Sequence, residues 1–307
     1  MKTGSRLEKI LESGAFAVTS ECGPPRGADA DVIRKKGELL KEVVDAVNIT
    51  DCQTSVVRMS SLSSCLILKQ MGFDPIMQMV TRDRNRIAIQ SDILGAAALG
   101  INNILCLSGD HQRFGDHPQS KNVYDIDSVQ LIMTVKKMRD EEKFLNDEEL
   151  TKPPRLFIGA AANPFADPFE IRALRLAKKV AAGVEFIQTQ CIYNLGRFEA
   201  WMRQVVDMGL HEKVYILAGV TPLKSVGMAR YMKNLVPGMD VPDELIERLK
   251  GVPKEKQSDE GIAICVETIQ RVQKMEGVRG VHIMAIEWEE KVREIAQRAG
   301  LLPRPAA

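Results

Sequence analysis

A repeat that runs from end to end constrains this chain more than any other feature. Short apolar runs rich in Val, Ile, Leu, Phe and Ala alternate with longer amphipathic stretches. Runs that are apolar throughout are typical of strands covered on both faces. We predict strands at 16–21, 46–51, 75–81, 103–110, 155–163, 185–190, 214–220 and 280–286. We predict helices at 29–45, 57–71, 86–99, 126–143, 168–182, 195–208, 258–276 and 288–299.

Eight strands alternating with eight helices in 307 residues predict the α/β class and a (β/α)₈ TIM barrel. An open doubly wound sheet is the alternative, but no G-x-G-x-x-G motif follows any strand. Region 236–257 predicts a short extra helix ahead of the seventh long one. Because no linker or low-complexity segment interrupts the repeat, we expect one catalytic domain over residues 1–307.

Charge and cysteine usage narrow the functional classes. The 42 basic and 41 acidic residues nearly cancel, which favours neither nucleic acid nor an anionic membrane as a partner. The six cysteines form no C-x-x-C pair, a pattern typical of a reducing cytosol. The N-terminal stretch carries charges where a signal peptide needs an apolar core, and no apolar run reaches roughly 18 residues. We expect a cytoplasmic protein without a membrane span.

Polar side chains follow almost every predicted strand. The first is Glu21 in FAVTSECGPP, a carboxylate at the end of an apolar strand, where burial without a use is costly. The others are Thr50, Asp51, Gln78, Thr81, Arg82, Asp83, Ser108, Gly109, Asp110, Asn163, Gln188, Thr189, Gln190, Thr221, Glu287 and Trp288. The C-terminal strand ends of a barrel meet on one face, so these residues predict a polar ligand site. The alternative is that each is an ordinary polar loop residue.

Two further segments leave alternatives open. The loop 110–124 is long and carries His111 and His117 beside acidic residues, but its spacing matches no common zinc motif. Cys22, Cys52 and Cys191 near strand ends could likewise be ligands or small buried residues, and we predict no metal. The TRDRNR segment at 81–86 indicates either a capped helix start with solvated arginines or recognition of a ligand phosphate or carboxylate.

Read together, the strand ends resemble the methylenetetrahydrofolate reductase family, in its short bacterial catalytic-domain form. The resemblance covers nearly the whole chain, and its motifs are short singly but specific in this order. They are TSECGPP (19–25), NITD (48–51), RMSSL (58–62), TRDRNR (81–86), LSGD (107–110), GAAANP (159–164), AAGVEFIQTQ (181–190), GVTPLKS (219–225) and GVHIMAI (280–286).

The resemblance implies reduction of 5,10-methylenetetrahydrofolate to 5-methyltetrahydrofolate by hydride from a reduced flavin. Glu21 matches the general acid that protonates N10 as the five-membered ring opens, and such a carboxyl group can have a raised pKa. Asp110 matches the acidic residue beside flavin and pterin, where its charge would stabilise the developing cation. Gln190 matches the amide that holds the pterin, and Thr221 is assigned to the same substrate site.

The resemblance also implies a flavin site, with FAD and FMN both open. Its residues are Thr50, Asp51, Gln78, Arg82, Asp83, Ser108, Gly109, Asp110, Tyr124, Asn163, Asp167 and Lys179. Among them, Lys179 is expected on a helix facing the site, where its ammonium would meet a phosphate.

The chain departs from the nicotinamide-using members of the family at several positions. Gln78 and Asn163 stand where those members have a histidine and a tyrosine, Asp167 replaces a histidine, and Ser108 replaces an arginine. Val226 replaces a phenylalanine that stacks on substrate and nicotinamide, a contact of about 1 kcal/mol. We therefore expect electrons from a partner protein, with NADH or NADPH as the alternative, and an oligomer or complex subunit.

Two other functional classes fit a barrel. A pterin-binding methyltransferase, or a lyase with Glu21 and Asp110 as acid and base, would lack the flavin absorbance near 450 nm. A non-catalytic subunit of a complex would not need Glu21, Asp110 and Gln190 together.

Overall fold

The structure, a computed structural model, describes residues 2–306. Its parallel strands pair in chain order, and β8 closes the barrel against β1. They are β1 (Ala17–Cys22), β2 (Ala46–Ile49), β3 (Pro75–Val80), β4 (Asn103–Leu107), β5 (Phe157–Ala162), β6 (Phe186–Cys191), β7 (Tyr215–Val220) and β8 (Val278–Ile283). The (β/α)₈ prediction is confirmed, and the open sheet is wrong.

The helices surround the barrel and include every long helix that the repeat predicted. Within residues 2–306 they are α1 (Arg6–Glu12), α2 (Ala30–Leu40), α3 (Ser61–Gln70), α4 (Arg86–Ala98), α5 (Ser128–Lys136), α6 (Arg172–Ala182), α7 (Leu195–Asp207), α8 (Val226–Leu235), α9 (Asp243–Lys250), α10 (Gln257–Val272) and α11 (Val292–Arg298). The extra helix expected in region 236–257 is α9. No helix in the described part of the chain is both long and apolar enough to cross a membrane.

Two helices were not predicted. Helix α1 has only seven residues, too few for its apolar period to stand out. Helix α8 begins directly after the loop that follows β7, where the Ser225 hydroxyl accepts a hydrogen bond from the Met228 amide at 3.2 Å. That N-cap satisfies one of the amides that a helix start leaves unpaired.

Helix α1 seals the N-terminal end of the barrel. Its Leu7, Ile10 and Leu11 are at most 1% exposed and pack on an apolar layer inside the strands. The barrel members of this layer are Ala17, Ala46, Ile76, Leu105, Phe157, Phe186 and Leu217. Because buried apolar side chains fill this end, an open site is left at the opposite end, where the strands finish.

The sealed layer depends on one missing side chain. Phe157 and Phe186 stack with ring centroids 5.1 Å apart. A Cβ at Gly159 would stand 2.2 Å from the Phe186 ring, closer than atoms can approach. Glycine on β5 therefore makes room for the aromatic pair that fills the barrel.

Because side chains alternate between the two faces of each strand, the inward-facing side chains of the barrel are arranged in layers. On β1, Ala17 belongs to the sealed layer, Thr19 to a polar layer above it, and Glu21 to the open cavity. On β6, Phe186 and Gln188 occupy the first two of these layers in the same order. The residues between them on each strand face outward against the helices. Polarity thus rises toward the C-terminal face.

Candidate active site

A cavity of about 320 Å³ opens at the C-terminal ends of the strands. This is the face on which barrel enzymes assemble their active sites. Ten residues that the sequence assigned to the strand-end site line it together: Glu21, Asp51, Gln78, Arg82, Ser108, Gly109, Asp110, Gln188, Thr189 and Gln190. They come from five different strands or the loops that follow them, so only closure of the barrel brings them together.

A second cavity of about 210 Å³ adjoins the first, and the two share Ala161 and Gln190. It is lined by Asn163 and by the cationic residues Arg172, Arg175 and Lys179, all three of which lie on α6. The Lys179 ammonium donates to the Ala161 carbonyl at 2.5 Å. Burial, with a contribution from the nearby Arg175 charge, lowers the pKa of Lys179 to about 8.

Two predicted residues stand just behind the cavity wall. The Thr50 hydroxyl donates to the Gln53 side chain at 2.6 Å, and Gln53 itself lines the cavity. The Tyr124 hydroxyl donates to the Gly109 carbonyl at 3.4 Å. Both side chains thus contact residues that face the cavity without lining it themselves.

Three predicted residues outside both cavities have protein partners. The Asp167 carboxylate pairs with Arg197 at 2.6 Å, and the Thr221 hydroxyl lies 3.0 Å from the Cys191 sulfur. Asp83 binds the guanidinium of Arg82. Asn163, although it lines the second cavity, uses its side-chain oxygen to accept two backbone amides, those of residues 165 and 166.

Glu21 has a strongly raised pKa. Burial of the carboxyl group, with a smaller contribution from the Glu289 charge, raises its pKa to about 7. The cations Lys36 and Arg58 and a hydrogen bond from Gln78 act in the opposite direction without cancelling the effect of burial. A carboxyl group with this pKa holds a proton at neutral pH while remaining able to release it.

The turn after Glu21 is held from outside the barrel. Lys36 donates to the carbonyl of Gly23 at 3.4 Å, Arg58 to the next carbonyl at 3.0 Å, and the Met59 amide to the one after at 2.9 Å. Three consecutive carbonyls of the turn 23–25 are therefore fixed. The same cations that lower the pKa of Glu21 also set the course of the chain beside it.

Arg82 connects the loops that form one wall of the cavity. Its guanidinium is 3% exposed and donates to Asp83 at 2.6 and 2.8 Å, to the Ser55 hydroxyl at 2.8 Å and to the Asp110 carbonyl at 3.0 Å. It also donates to the Cys52 carbonyl at 3.3 Å. Because protein groups take its donors, Arg82 shapes the cavity wall and leaves little for a ligand.

The loop after β2 carries backbone strain at this wall. Cys52, Thr54 and Ser55 have φ of 47°, 55° and 58°, in the left-handed region that costs non-glycine residues energy. The Thr54 amide donates to the Asp110 carboxylate at 3.0 Å, and the Ser55 hydroxyl donates to the Asp110 carbonyl at 2.8 Å. The strained loop thus holds Asp110 at the cavity mouth.

The other arginines of TRDRNR also bind carboxylates of the chain. Arg84 pairs with Asp51 at 2.7 Å, and Arg86 pairs with Asp125 at 2.8 Å. Asn85 caps α4 by accepting the amides of residues 87 and 88, both at 3.1 Å. The predicted capped helix start is confirmed at Asn85. The solvated arginine that this alternative expected at Arg84 is wrong, because Arg84 is ion-paired.

Sequence reasoning missed several residues that line the main cavity. They are Gln53, His282 and Met284, together with apolar side chains at the ends of β3 and β4. The period-two rule could have found His282 and Met284, because both lie on the inward face of β8 and the loop that follows it. Gln53 gives no such signal, since it belongs to an irregular turn after β2.

The cysteines and histidines do not gather into a metal site. Among residues 2–306 no group of three or more His, Cys, Asp or Glu is placed to hold a metal ion. The six cysteines are free thiols. Burial raises the pKa of Cys22 and of Cys106 to about 12, which keeps both thiols protonated.

A sequence model of methylenetetrahydrofolate reductase matches residues 6–300, nearly the whole chain. The chain belongs to the methylenetetrahydrofolate reductase family. The resemblance drawn from the strand-end motifs is thereby confirmed, and the family's motifs at Glu21, Asp110 and Gln190 all lie on one cavity.

Curated methylenetetrahydrofolate reductases are distant relatives. A "Probable methylenetetrahydrofolate reductase (NADPH)" from Caenorhabditis elegans is 19% identical over 96% of this chain and 44% of its own length. "Methylenetetrahydrofolate reductase 1" from Schizosaccharomyces pombe is 24% identical over 75% of this chain and 36% of its own. The chain thus spans less than half the length of these two relatives.

Solved structures share the fold at low identity. An uncharacterised protein from Clostridium thermocellum, described as binding two copies of 5-methyl-5,6,7,8-tetrahydrofolic acid, has a TM-score of 0.63 and 14% identity. The match covers 97% of this chain and 99% of that one. A 2,3-dimethylmalate lyase, matched over 100% and 89% of the two chains, has a TM-score of 0.51 and 10% identity. Both comparisons establish the barrel fold alone.

Proposed function

We propose that residues 1–307 form one catalytic domain that reduces 5,10-methylenetetrahydrofolate to 5-methyltetrahydrofolate, reversibly and with a bound flavin. One observation carries the proposal: a carboxyl group with a pKa of about 7, Glu21, shares a cavity with Asp110 and Gln190 in a chain of this family. The reaction needs a proton donor, a negative charge near a developing cation, and an amide for the pterin ring.

We propose the two joined cavities as the site of a flavin, FAD or FMN. The main cavity would hold the ring system, and the second offers the cations Arg172, Arg175 and Lys179 to a phosphate. Gly109 lines the main cavity with φ +86°, and a Cβ there would stand 3.0 Å from Val80, so this position of the wall suits glycine. We propose the predicted flavin residues as the binding set of the flavin, with support of the cavity wall from Thr50, Arg82, Asp83, Tyr124 and Asp167 and direct contact from the others, which line a cavity. Bound there, the flavin would supply the hydride that reduces the methylene carbon.

Folate as substrate draws support from two sides. The neighbour from Clostridium thermocellum is described as a binder of 5-methyltetrahydrofolic acid. In this chain the side-chain amide of Gln190 has no protein partner among residues 2–306 and lines both cavities, so it is available to a pterin. Thr221, whose hydroxyl lies beside Cys191, is proposed to support the same ring from behind the wall.

In the proposed reaction Glu21 gives its proton to N10 of the substrate. The proton makes N10 a better leaving group, so the five-membered ring opens to an iminium at the methylene carbon. Asp110, fixed by the Thr54 amide, places its negative charge where it stabilises that cation. After hydride addition the carboxylate of Glu21 regains a proton from solvent.

The rate of methylene reduction is expected to fall above a pH of about 7. Only the protonated form of Glu21 is the acid, and its pKa of about 7 means that this fraction drops tenfold per pH unit beyond that point. Glu289→Gln removes a charge that raises this pKa, so the break should move to lower pH. Pre-steady-state rates of flavin reoxidation across pH measure both; a rate independent of pH from 6 to 9 would contradict the acid role.

We propose a partner protein as the electron donor, with nicotinamide as the second candidate. Val226, the first residue of α8, offers no aromatic surface for a nicotinamide ring. The name of the worm relative includes NADPH, which supports the alternative. Anaerobic mixing of the flavin-loaded chain with NADH or NADPH should reduce the flavin far more slowly than turnover. Reduction as fast as turnover would identify nicotinamide as the donor.

We also propose where the enzyme is located and that it works in an assembly. Six free thiols are typical of a reducing compartment, which supports the cytoplasm. A donor protein requires at least a transient complex, so we propose that the chain works as an oligomer or a complex subunit.

A further inference from the structure

A chain of hydrogen bonds crosses the barrel directly below the cavity. Asn48 donates to the Gln188 side-chain oxygen at 2.5 Å, and Gln188 donates back to the Asn48 oxygen at 3.0 Å. The second N–H of Gln188 reaches the Thr19 hydroxyl oxygen at 3.2 Å. That oxygen lies 3.0 Å from Nδ1 of His282. All four side chains are at most 3% exposed, so they form one buried polar layer.

The pairing of the two side-chain amides sets the donor-to-acceptor direction of the hydrogen bonds that follow. Because Gln188 uses one N–H on Asn48 and the other on Thr19, the Thr19 oxygen is an acceptor there. The single hydroxyl proton of Thr19 then goes to Nδ1 of His282 at 3.0 Å or to the Val281 carbonyl at 3.4 Å. At 3.4 Å the Val281 carbonyl lies beyond the usual range of an O–H donor, so we infer that the hydroxyl proton points along the 3.0 Å contact, which makes Nδ1 an acceptor without a proton.

The remaining ring nitrogen of His282 belongs to the cavity. His282 lines the cavity, and within residues 2–306 its Nε2 has no protein partner. Because Nε2 is not one of the fully buried polar atoms that lack a partner, it is exposed to the cavity. A neutral imidazole without a proton on Nδ1 carries it on Nε2.

We propose that the layer of Asn48, Gln188 and Thr19 fixes His282 as the Nε2–H tautomer, so that the cavity floor presents one neutral N–H donor. Its ligand is an acceptor atom, a carbonyl oxygen or an imine nitrogen, on the edge of a fused heteroaromatic ring. Within the proposed function that ring is the pterin or the flavin, and only the identity of the ring rests on that proposal.

Burial makes this donor permanent. Burial lowers the pKa of His282 to about 3, so the ring stays neutral where the enzyme works. A fixed N–H donor discriminates between the edges of a ring. An edge with an acceptor pairs with Nε2–H, whereas an edge with a donor would leave both that donor and Nε2–H without a partner. His282 would therefore select the orientation in which a ring enters the cavity.

Nitrogen NMR of the chain labelled in its histidines tests the tautomer without ligand or activity. The chain has four histidines, and replacing His111, His117 and His211 with Gln leaves His282 as the single signal. We expect an unprotonated Nδ1 and a protonated Nε2, unchanged down to about pH 5. A proton on Nδ1, or an imidazolium at that pH, would overturn the proposal.

A pair of variants links the tautomer to the layer. Thr19→Val removes the hydroxyl with little change of shape and should produce a mixture of the two tautomers. Thr268→Val is the control, since the Thr268 hydroxyl is also buried but donates to the Ile264 carbonyl within α10. It should leave the signal of His282 unchanged. An unmixed Nε2–H signal in Thr19→Val would show that the layer does not set the tautomer.

Two ligand titrations identify the ring. A flavin, tested both as FMN and as FAD, and 5-methyltetrahydrofolate are added separately, and the one whose edge meets His282 should shift the Nε2–H signal. Thr19→Val should then weaken that ligand by about tenfold, the scale of one neutral hydrogen bond. Binding of both ligands without any shift would overturn the ligand assignment. Binding of neither would refute the proposed function and the ring together, while the tautomer measurement would still stand.

Discussion

Glu21→Gln is expected to lower the rate of methylene reduction by about 10²–10⁴-fold, the usual contribution of a general acid. The amide has nearly the shape of the protonated carboxyl group and can fill its place beside Gln78, but it has no proton to give to N10. The variant should bind flavin and folate as tightly as the original chain. The measurement is single-turnover reoxidation of the reduced flavin by 5,10-methylenetetrahydrofolate.

The fold should survive this substitution. The folded-state pKa of Glu21 is raised, so its stabilising effect is present at low pH and is lost as the pH rises through about 7. Gln carries no charge to bury, and the variant should be at least as stable as the original above that pH. Loss of activity with a normal denaturation curve would thus report chemistry.

A matched control separates the acid role from a general loss of negative charge. Glu267 lies on α10 and pairs with Arg248 at 2.6 Å, away from both cavities. Glu267→Gln should leave the single-turnover rate unchanged. If Glu21→Gln turned over as fast as this control, the assignment of Glu21 as the acid would be wrong.

Asp45→Ala is expected to lower the free energy of unfolding by about 3–5 kcal/mol, the cost of leaving a buried partner charge unpaired. Asp45 precedes β2 and its side chain is fully buried. It accepts from Arg304 at 2.5 Å, from Arg6 at 3.3 Å and from the Val18 amide at 2.8 Å. These bonds tie the segment after α11 to the closed end of the barrel. Urea denaturation measures the change.

Two comparisons make this prediction specific. In the double variant Asp45→Ala with Arg304→Met the stranded guanidinium is gone, so part of the stability should return. Asp147→Ala removes a carboxylate of the exposed pair with Lys137, whose aspartate side chain is 77% exposed, and should cost less than about 1 kcal/mol. A loss for Asp45→Ala no larger than this would contradict a buried ion-pair role.

The barrel could be predicted because burial on both faces leaves a strong trace in the sequence. The strand ends could not be placed as well. The sequence predicted strands at 46–51 and 103–110, whereas β2 ends at Ile49 and β4 at Leu107. The extra residues are polar and belong to the loops that form the cavity wall. The error lies at the residues where strand pairing ends and the cavity-forming loop begins.

Which residues meet could be predicted, but the partner of each could not. Barrel geometry places Glu21 and Asp110 on one face from topology alone. The partners of a side chain depend on distances that sequence spacing does not encode. Lys36 and Arg58, which lower the pKa of Glu21, come from α2 and from the loop before α3. The ion pair of Arg84 with Asp51 could not be predicted from sequence spacing either.

The most direct test of the proposed function follows a hydrogen isotope. The flavin-loaded chain is reduced in deuterium oxide, where the transferable hydrogen of a reduced flavin exchanges with solvent, and is mixed anaerobically with 5,10-methylenetetrahydrofolate. We predict 5-methyltetrahydrofolate with one deuterium in its methyl group, detected by mass spectrometry. A methyl group without deuterium, or unchanged substrate from a chain that binds both flavin and folate, would contradict flavin-dependent reduction at this cavity.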